Sequence, residues 1–326
     1  MGSRKLQAIA HFNAGVEFEK HGQHEEAKAA YERAIKADKS LAAAYNNLGF
    51  ICIRAGDYAR AAKHFHRVVT LEPQNAEALH NLGYAYEKQD MTGTAKTCYA
   101  KALQLDPTNQ EAHINLGLIA ELEGSFEEAR QHYHNAAAVN EHSAYPYFCL
   151  ALLYEHADLF DEAITAYQEA MARDQAHLKA CFNVARLYHT QGEYAAAITY
   201  FRKVLALDPH NAHTYNSLGL IYEELGDRSQ AITYFQKATE LDMFCPETHL
   251  NLARALYDFH RGNLCPDMLQ SIMSRLQMVL SIDPHNDETK VLLHEIETVT
   301  HQCHLTARSP GCLTHSPPSL DTDLSL

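Results

Sequence analysis

The 326-residue sequence has no tryptophan, no pair of cysteines in CxxC spacing and no excess of basic charge. Its eight cysteines, at 52, 98, 149, 181, 245, 265, 303 and 312, fall mostly in helical segments, where cysteine packs as a small hydrophobe. That usage points to a reducing compartment. No apolar run approaches the roughly 20 residues that span a bilayer, so the expectation is a cytoplasmic protein without membrane insertion. The 27 basic residues are outnumbered by 41 acidic ones, a formal charge of −14, which excludes a nucleic-acid partner whose phosphates call for a basic stripe. A basic protein or peptide fits better. Also missing are a phosphate-binding glycine loop, a metal motif and a nucleophile elbow, so neither an enzyme nor a cofactor is expected. Histidine is abundant at 22, yet "HFH" (64–66) and "HYH" (132–134) space their rings by two, which points them to different sides of a helix. A helical metal pair wants three or four, and no metal is expected.

What the sequence has is repetition. The segment "AEALHNLGYAYEKQDMTGTAKTCYAKALQLDPTN" (76–109) is preceded by "AAAYNNLGFICIRAGDYARAAKHFHRVVTLEPQN" (42–75) and followed by "QEAHINLGLIAELEGSFEEARQHYHNAAAVNEHS" (110–143). Steps of about 34 residues give units at 8–41, 42–75, 76–109, 110–143, 144–177, 178–211, 212–245 and a longer one at 246–286. Residues 1–7 lead in. Residues 287–303 read as one further helix, apolar through Val291, Leu292, Ile296 and Val299, that caps the stack. The tail at 304–326, rich in Ser, Thr and Pro, has no helical period and is expected to be disordered.

Within a unit each position has a role. The eighth holds Gly15, Gly49, Gly83, Gly117, Ala151, Ala185, Gly219 and Ala253, where only a tiny side chain fits. Glycine inside a helix costs up to about 1 kcal/mol relative to alanine, so its recurrence implies that the unit's two helices approach closely there. The twentieth position, alanine from Ala27 to Ala231, reads as the other side of that contact. Large residues at the seventh (Leu48, Leu82, Leu116) and twenty-fourth (Tyr31, Phe65, Tyr99, Tyr133, Tyr167, Phe201, Phe235) are the expected core. Gly22, Gly56, Gly124, Gly192 and Gly226 mark the turn inside a unit, and Pro73, Pro107, Pro209 and Pro284 stop the second helix.

This order of small, Ala, aromatic, Ala or Val, and Pro resembles the tetratricopeptide repeat (TPR) family over residues 8 to 286. The resemblance implies an all-α fold, a right-handed TPR superhelix of eight helix-turn-helix units and a capping helix. It departs from the family in lacking Trp at the fourth position and in the lengthened turn "HRGNLCPDMLQ" (260–270) of the last unit, where Ile272 replaces the small residue.

The resemblance also implies a concave groove lined by the first helices. At the sixth position stand Asn13, Asn47, Asn81, Asn115, Asn183 and Asn251, a row similar to the asparagine ladder of the O-linked N-acetylglucosamine transferases. An amide donates and accepts at once, so such a row can hold a peptide backbone regardless of sequence. It can equally brace neighbouring helices, and both readings stand. At the twelfth, Glu19, Glu87, Glu121, Glu155 and Glu223 either draw Lys or Arg into the groove or form a solvated face paired with Lys20, Arg54 and Lys88. Between the rows runs an apolar stripe that includes Phe12, Phe50, Tyr84, Leu118, Phe148, Leu152 and Phe182. The expected function is a non-catalytic protein-binding scaffold or assembly factor whose groove takes an extended or amphipathic basic segment. The alternative is a self-assembling structural protein whose stripe is covered by another copy. Chaperone-tail docking is not expected, because Phe182 stands where that clamp needs a lysine.

Overall fold

The computed structural model describes residues 2–261 and 264–307, with side chains described for 3–261 and 264–299. Among the described residues the chain is all α, with seventeen helices and no strand. They are α1 (Gly2–Lys20), α2 (His24–Ala37), α3 (Ala42–Arg54), α4 (Tyr58–Leu71), α5 (Ala76–Glu87), α6 (Thr92–Leu105), α7 (Gln110–Leu122), α8 (Phe126–Val139) and α9 (Tyr145–His156). There follow α10 (Phe160–Arg173), α11 (Leu178–Thr190), α12 (Tyr194–Leu207), α13 (Ala212–Glu224), α14 (Arg228–Leu241), α15 (Pro246–His260), α16 (Pro266–Ile282) and α17 (Asp287–Ala307). Two compact units divide between Ala180 and Cys181.

Helix starts and stops follow local chemistry. Asn75, Asn109 and Asn211 cap α5, α7 and α13, their side chains accepting from the amides of Ala78, Ala112 and Thr214 at 2.8–3.0 Å. Each cap satisfies a donor that the helix cannot, worth about 1 kcal/mol. Pro73, Pro107 and Pro209 directly follow the C-cap residues of α4, α6 and α12. Inside each of the first seven pairs the chain reverses through one left-handed residue. Five of these are the glycines that mark the turn, at φ from 72° to 79°, and two are Asp90 (φ 59°) and Asp158 (φ 57°). Aspartate tolerates that conformation better than most L residues, so these turns keep their shape without glycine.

In the first unit, Tyr31, Phe65, Tyr99, Tyr133 and Tyr167 are completely buried. Each second helix packs its ring between its own first helix and the next repeat. Tyr31 meets Leu48 and Ile51, Phe65 meets Leu82 and Ala85, and Tyr99 meets Leu116 and Ile119. Burying such a side chain contributes about 1.5–3 kcal/mol.

The position-eight glycines correct one expectation. What lies over them is the twenty-fourth-position ring, not the alanine at twenty. A Cβ on Gly49 would stand 2.6 Å from the Phe65 ring, and one on Gly83 would stand 2.8 Å from the Tyr99 ring. The alanines at twenty are fully buried, so they are small for close packing all the same.

In the second unit, Phe201 packs with Leu218 and Ile221, and Phe235 with Leu252 and Ala255. The last layer joins Tyr257, Ile272 and Leu276 to Leu292 and Ile296 of α17. Val291, expected on the apolar side of that helix, is 69% exposed instead, so the buried face is narrower than its sequence suggests. α1 begins at Gly2, within the lead-in, and α17 runs on to Ala307. Gly262 and Asn263 of the lengthened turn, and the tail from residue 308 with its Ser-Pro pairs, lie outside the described residues.

Candidate functional site

The glutamate row is tied to the core. The buried Tyr31, Tyr99, Tyr133 and Tyr167 hydroxyls donate to Oε2 of Glu19 (2.5 Å), Glu87 (2.8 Å), Glu121 (3.0 Å) and Glu155 (3.0 Å). A charged acceptor makes these bonds about twice as strong as neutral ones. Burial would raise the Glu19 carboxyl, but the Tyr31 phenol and the Arg54 guanidinium hold it below its ordinary value. Burial, and then Glu19, push the Tyr31 phenol up to about 12. Three second oxygens also have neighbours: Arg54 beside Glu19, Lys88 at 3.3 Å from Glu87, and His156 at 2.8 Å from Glu121. Lys20 pairs with Glu17 rather than with the row. Glu223, in the second unit, belongs to a repeat with Phe235 at position twenty-four in place of a tyrosine, and burial raises its carboxyl despite Arg254 nearby.

The asparagines divide. Asn47 donates at 2.9 Å to the Tyr31 hydroxyl of the preceding repeat, and Asn115 lies 3.1 Å from His80 Nε2. Asn251 is only 8% exposed and donates to Asn216 at 3.0 Å. Asn81 is half-buried, its amide nitrogen enclosed without a hydrogen-bond partner, and Asn183 is half-buried. Asn13 is exposed. Bracing between repeats is thus the visible task of Asn47, Asn115 and Asn251.

The apolar stripe divides as well. Phe12, Phe50, Phe148 and Phe182 lay their rings 5.4–5.6 Å from the twenty-fourth-position ring of their own repeat. Ile114 and Leu250 are buried. Tyr84 is half-buried, with the Lys88 ammonium 5.1 Å from its ring.

In the first unit, open apolar surface lies in a groove of about 840 Å³. Three first helices form its walls: Glu87 and Lys88 end α5, Leu118, Glu121 and Leu122 come from α7, and Tyr145, Phe148, Leu152 and His156 from α9. Tyr133 and Cys149 also line it. Burial pushes the Cys149 thiol up to about 12, which leaves it an inert packing group. Leu122 is 83% exposed, Tyr145 51% and Leu118 38%. Of the sequence-predicted residues, the groove brings together Glu87, Glu121, Leu118, Phe148 and Leu152, while Glu155, Tyr84 and the asparagines do not line it. Phe182, Asn183, Glu223 and Asn251 belong to the second unit. Leu122, Tyr145 and His156 were not singled out by the sequence. The available signal was Leu122 itself, an apolar residue at the position that holds Lys20, Arg54 and Lys88 in earlier repeats.

Stacked helix pairs with a groove along their first helices define a helical-repeat scaffold. Tetratricopeptide repeat models match residues 8–41, 40–108, 98–131 and 179–243, and the chain belongs to the tetratricopeptide repeat family. That family is generally a non-catalytic scaffold for protein–protein interaction. Among solved structures, a tetratricopeptide repeat protein from Parabacteroides merdae is 21% identical over 77% of this chain and 99% of its own, with a TM-score of 0.55. PilF of Pseudomonas aeruginosa is 19% identical over 69% of this chain and 99% of its own, with a TM-score of 0.54. A chain of the APC/C hetero-tetramer Cut9–Hcn1 is 18% identical over 84% of this chain and 52% of its own, with a TM-score of 0.50. At these identities the likeness is one of fold. No curated protein matches the chain. No helix among the described residues is long and apolar enough to cross a membrane.

Proposed function

We propose that this TPR protein is a non-catalytic scaffold whose first unit seats a basic, amphipathic segment of another protein in the groove between α5, α7 and α9. The observation that carries the reading is exposed apolar surface inside an acid-lined concavity: Leu118, Leu122 and Tyr145 stand open in the groove that Glu87 and Glu121 also line. Such surface is a docking feature rather than a stable solvent face. Leu122, Tyr145 and Leu152 take the hydrophobic anchors. Glu87 and Glu121 select a Lys or Arg, because their Oε2 atoms are fixed by tyrosines while the exposed Lys88 and His156 can be displaced. Of the asparagine row, the exposed Asn13 is the member open to a peptide backbone.

The test is fluorescence anisotropy with a labelled basic amphipathic peptide. Leu122→Asp, at a site 83% exposed, leaves the fold intact and weakens binding, and Glu87→Lys with Glu121→Lys weakens it by about tenfold or more. Unchanged affinity in both variants would sink the proposal. A second copy covering the groove is the rival occupant, and light scattering that shows a concentration-dependent dimer abolished by Leu122→Asp would favour it.

A further inference from the structure

A second cavity, of about 370 Å³, opens on a different face of α9, carried by Tyr147, Leu150 and Tyr154. Its origin lies in the repeat pattern. In the sixth and seventh repeats the tyrosine at position eleven is covered by a tyrosine at position twenty-three. Tyr188 and Tyr200 stack with centroids 5.7 Å apart at 29°, and Tyr222 and Tyr234 at 5.2 Å and 9°. The fifth repeat keeps Tyr154 at position eleven but has Ala166 at twenty-three, and both line the cavity. Phe126 approaches Tyr154 at 6.1 Å in a tilted arrangement and is not part of the lining. The charged residues of the lining are acidic: Asp161, Glu162 and Glu169, the last ion-paired with Arg173.

We infer that this cavity is an anchor pocket for an aromatic side chain flanked by Lys or Arg in a partner protein. The incoming ring takes the place that Tyr200 and Tyr234 occupy in their own repeats, completing the stack on Tyr154. Its basic neighbours meet the carboxylates at the rim. The pocket is separate from the groove proposed above, since the two share no residue.

The chain has no tryptophan, so the emission of a tryptophan peptide reports the probe alone. Ac-Lys-Trp-Lys-NH2 titrated with the full chain should show a saturable rise in anisotropy. Ala166→Tyr supplies the ring that the sixth and seventh repeats carry and should weaken binding by about tenfold or more. Ac-Glu-Trp-Glu-NH2 should bind about tenfold more weakly than the basic probe. The groove variant Leu122→Asp should change nothing. No saturation with the basic peptide, equal binding by the two peptides, undiminished binding by Ala166→Tyr, or loss confined to Leu122→Asp would each overturn the inference. If Ala166→Tyr lowers the melting temperature, Glu162→Arg at the exposed rim decides: binding lost supports the pocket, and binding retained refutes it.

Discussion

Tyr31→Phe removes one oxygen from a fully buried ring and leaves the packing of that ring untouched. That oxygen donates to Glu19 at 2.5 Å and accepts from Asn47 of the next repeat at 2.9 Å. A hydrogen bond to a charged group contributes about 1.5–3 kcal/mol, and the low end applies, because the Glu19 side chain is 22% exposed and keeps Arg54. The Asn47 amide, half-buried, adds a further fraction, for a loss of about 2 kcal/mol. In a repeat array such a loss stays local, since stability is a sum of repeat and interface contributions. Amide exchange in α1 and α2 should therefore speed up about thirtyfold, while α9 exchanges as before. Adding Glu19→Ile recreates the Phe65 and Ile53 combination of the second repeat, which orphans no carboxylate, and should recover about 1–2 kcal/mol. The same phenol has an alkaline signature. Its folded value of about 12 lies above the ordinary 10, so its contribution is complete below 10 and is lost as pH rises toward 12. The variant lacks that loss. Exchange in α1 and α2 unchanged within about twofold, or a double variant as unstable as the sum of the singles, would refute the reasoning.

Gly83→Leu drives a side chain into the Tyr99 ring, which a Cβ alone would approach to 2.8 Å, and should cost about 1–3 kcal/mol in urea denaturation. On acidification, burial holds His64, His80, His113, His132 and His249 below the ordinary histidine value of 6.5. Their contribution is complete above 6.5 and is lost as pH falls toward the folded values, so melting temperatures should drop from pH 7.5 to 5.5, and less steeply in His113→Gln. A flat profile would count against this.

The repeat, its period and its core positions were legible because each depends on residue size at a fixed spacing. The inner turns were legible where glycine marks them and invisible at Asp90 and Asp158, which adopt the same backbone with a commoner residue. The partner of the position-eight glycine was misread because a ring four residues past the alanine reaches back across the helix pair. The glutamate row was visible, but not its tie to tyrosine. The signal was present: Tyr at twenty-four accompanies Glu at twelve in four repeats, whereas Phe65 and Phe201 accompany Ile53 and His189, with Glu223 and Phe235 the exception. The division of the apolar stripe into packing and open surface was not legible. Phe148 and Leu118 have similar chemistry, and only the position of a neighbouring ring decides which of them water can reach.

Repeats three, four and five carry the tyrosine–glutamate contact in unbroken succession, and the groove draws its walls from those three. Two of those carboxylates, Glu87 and Glu121, face the groove with their rotamers already chosen, each clamped by a phenol that packing prevents from moving. A ligand arriving there meets a rigid charge pattern rather than one that must be assembled around it. For the docking proposed above, little side-chain entropy would be left to lose on the protein's side, and selectivity would rest on whether the ligand's own charges fall at the spacing of one repeat.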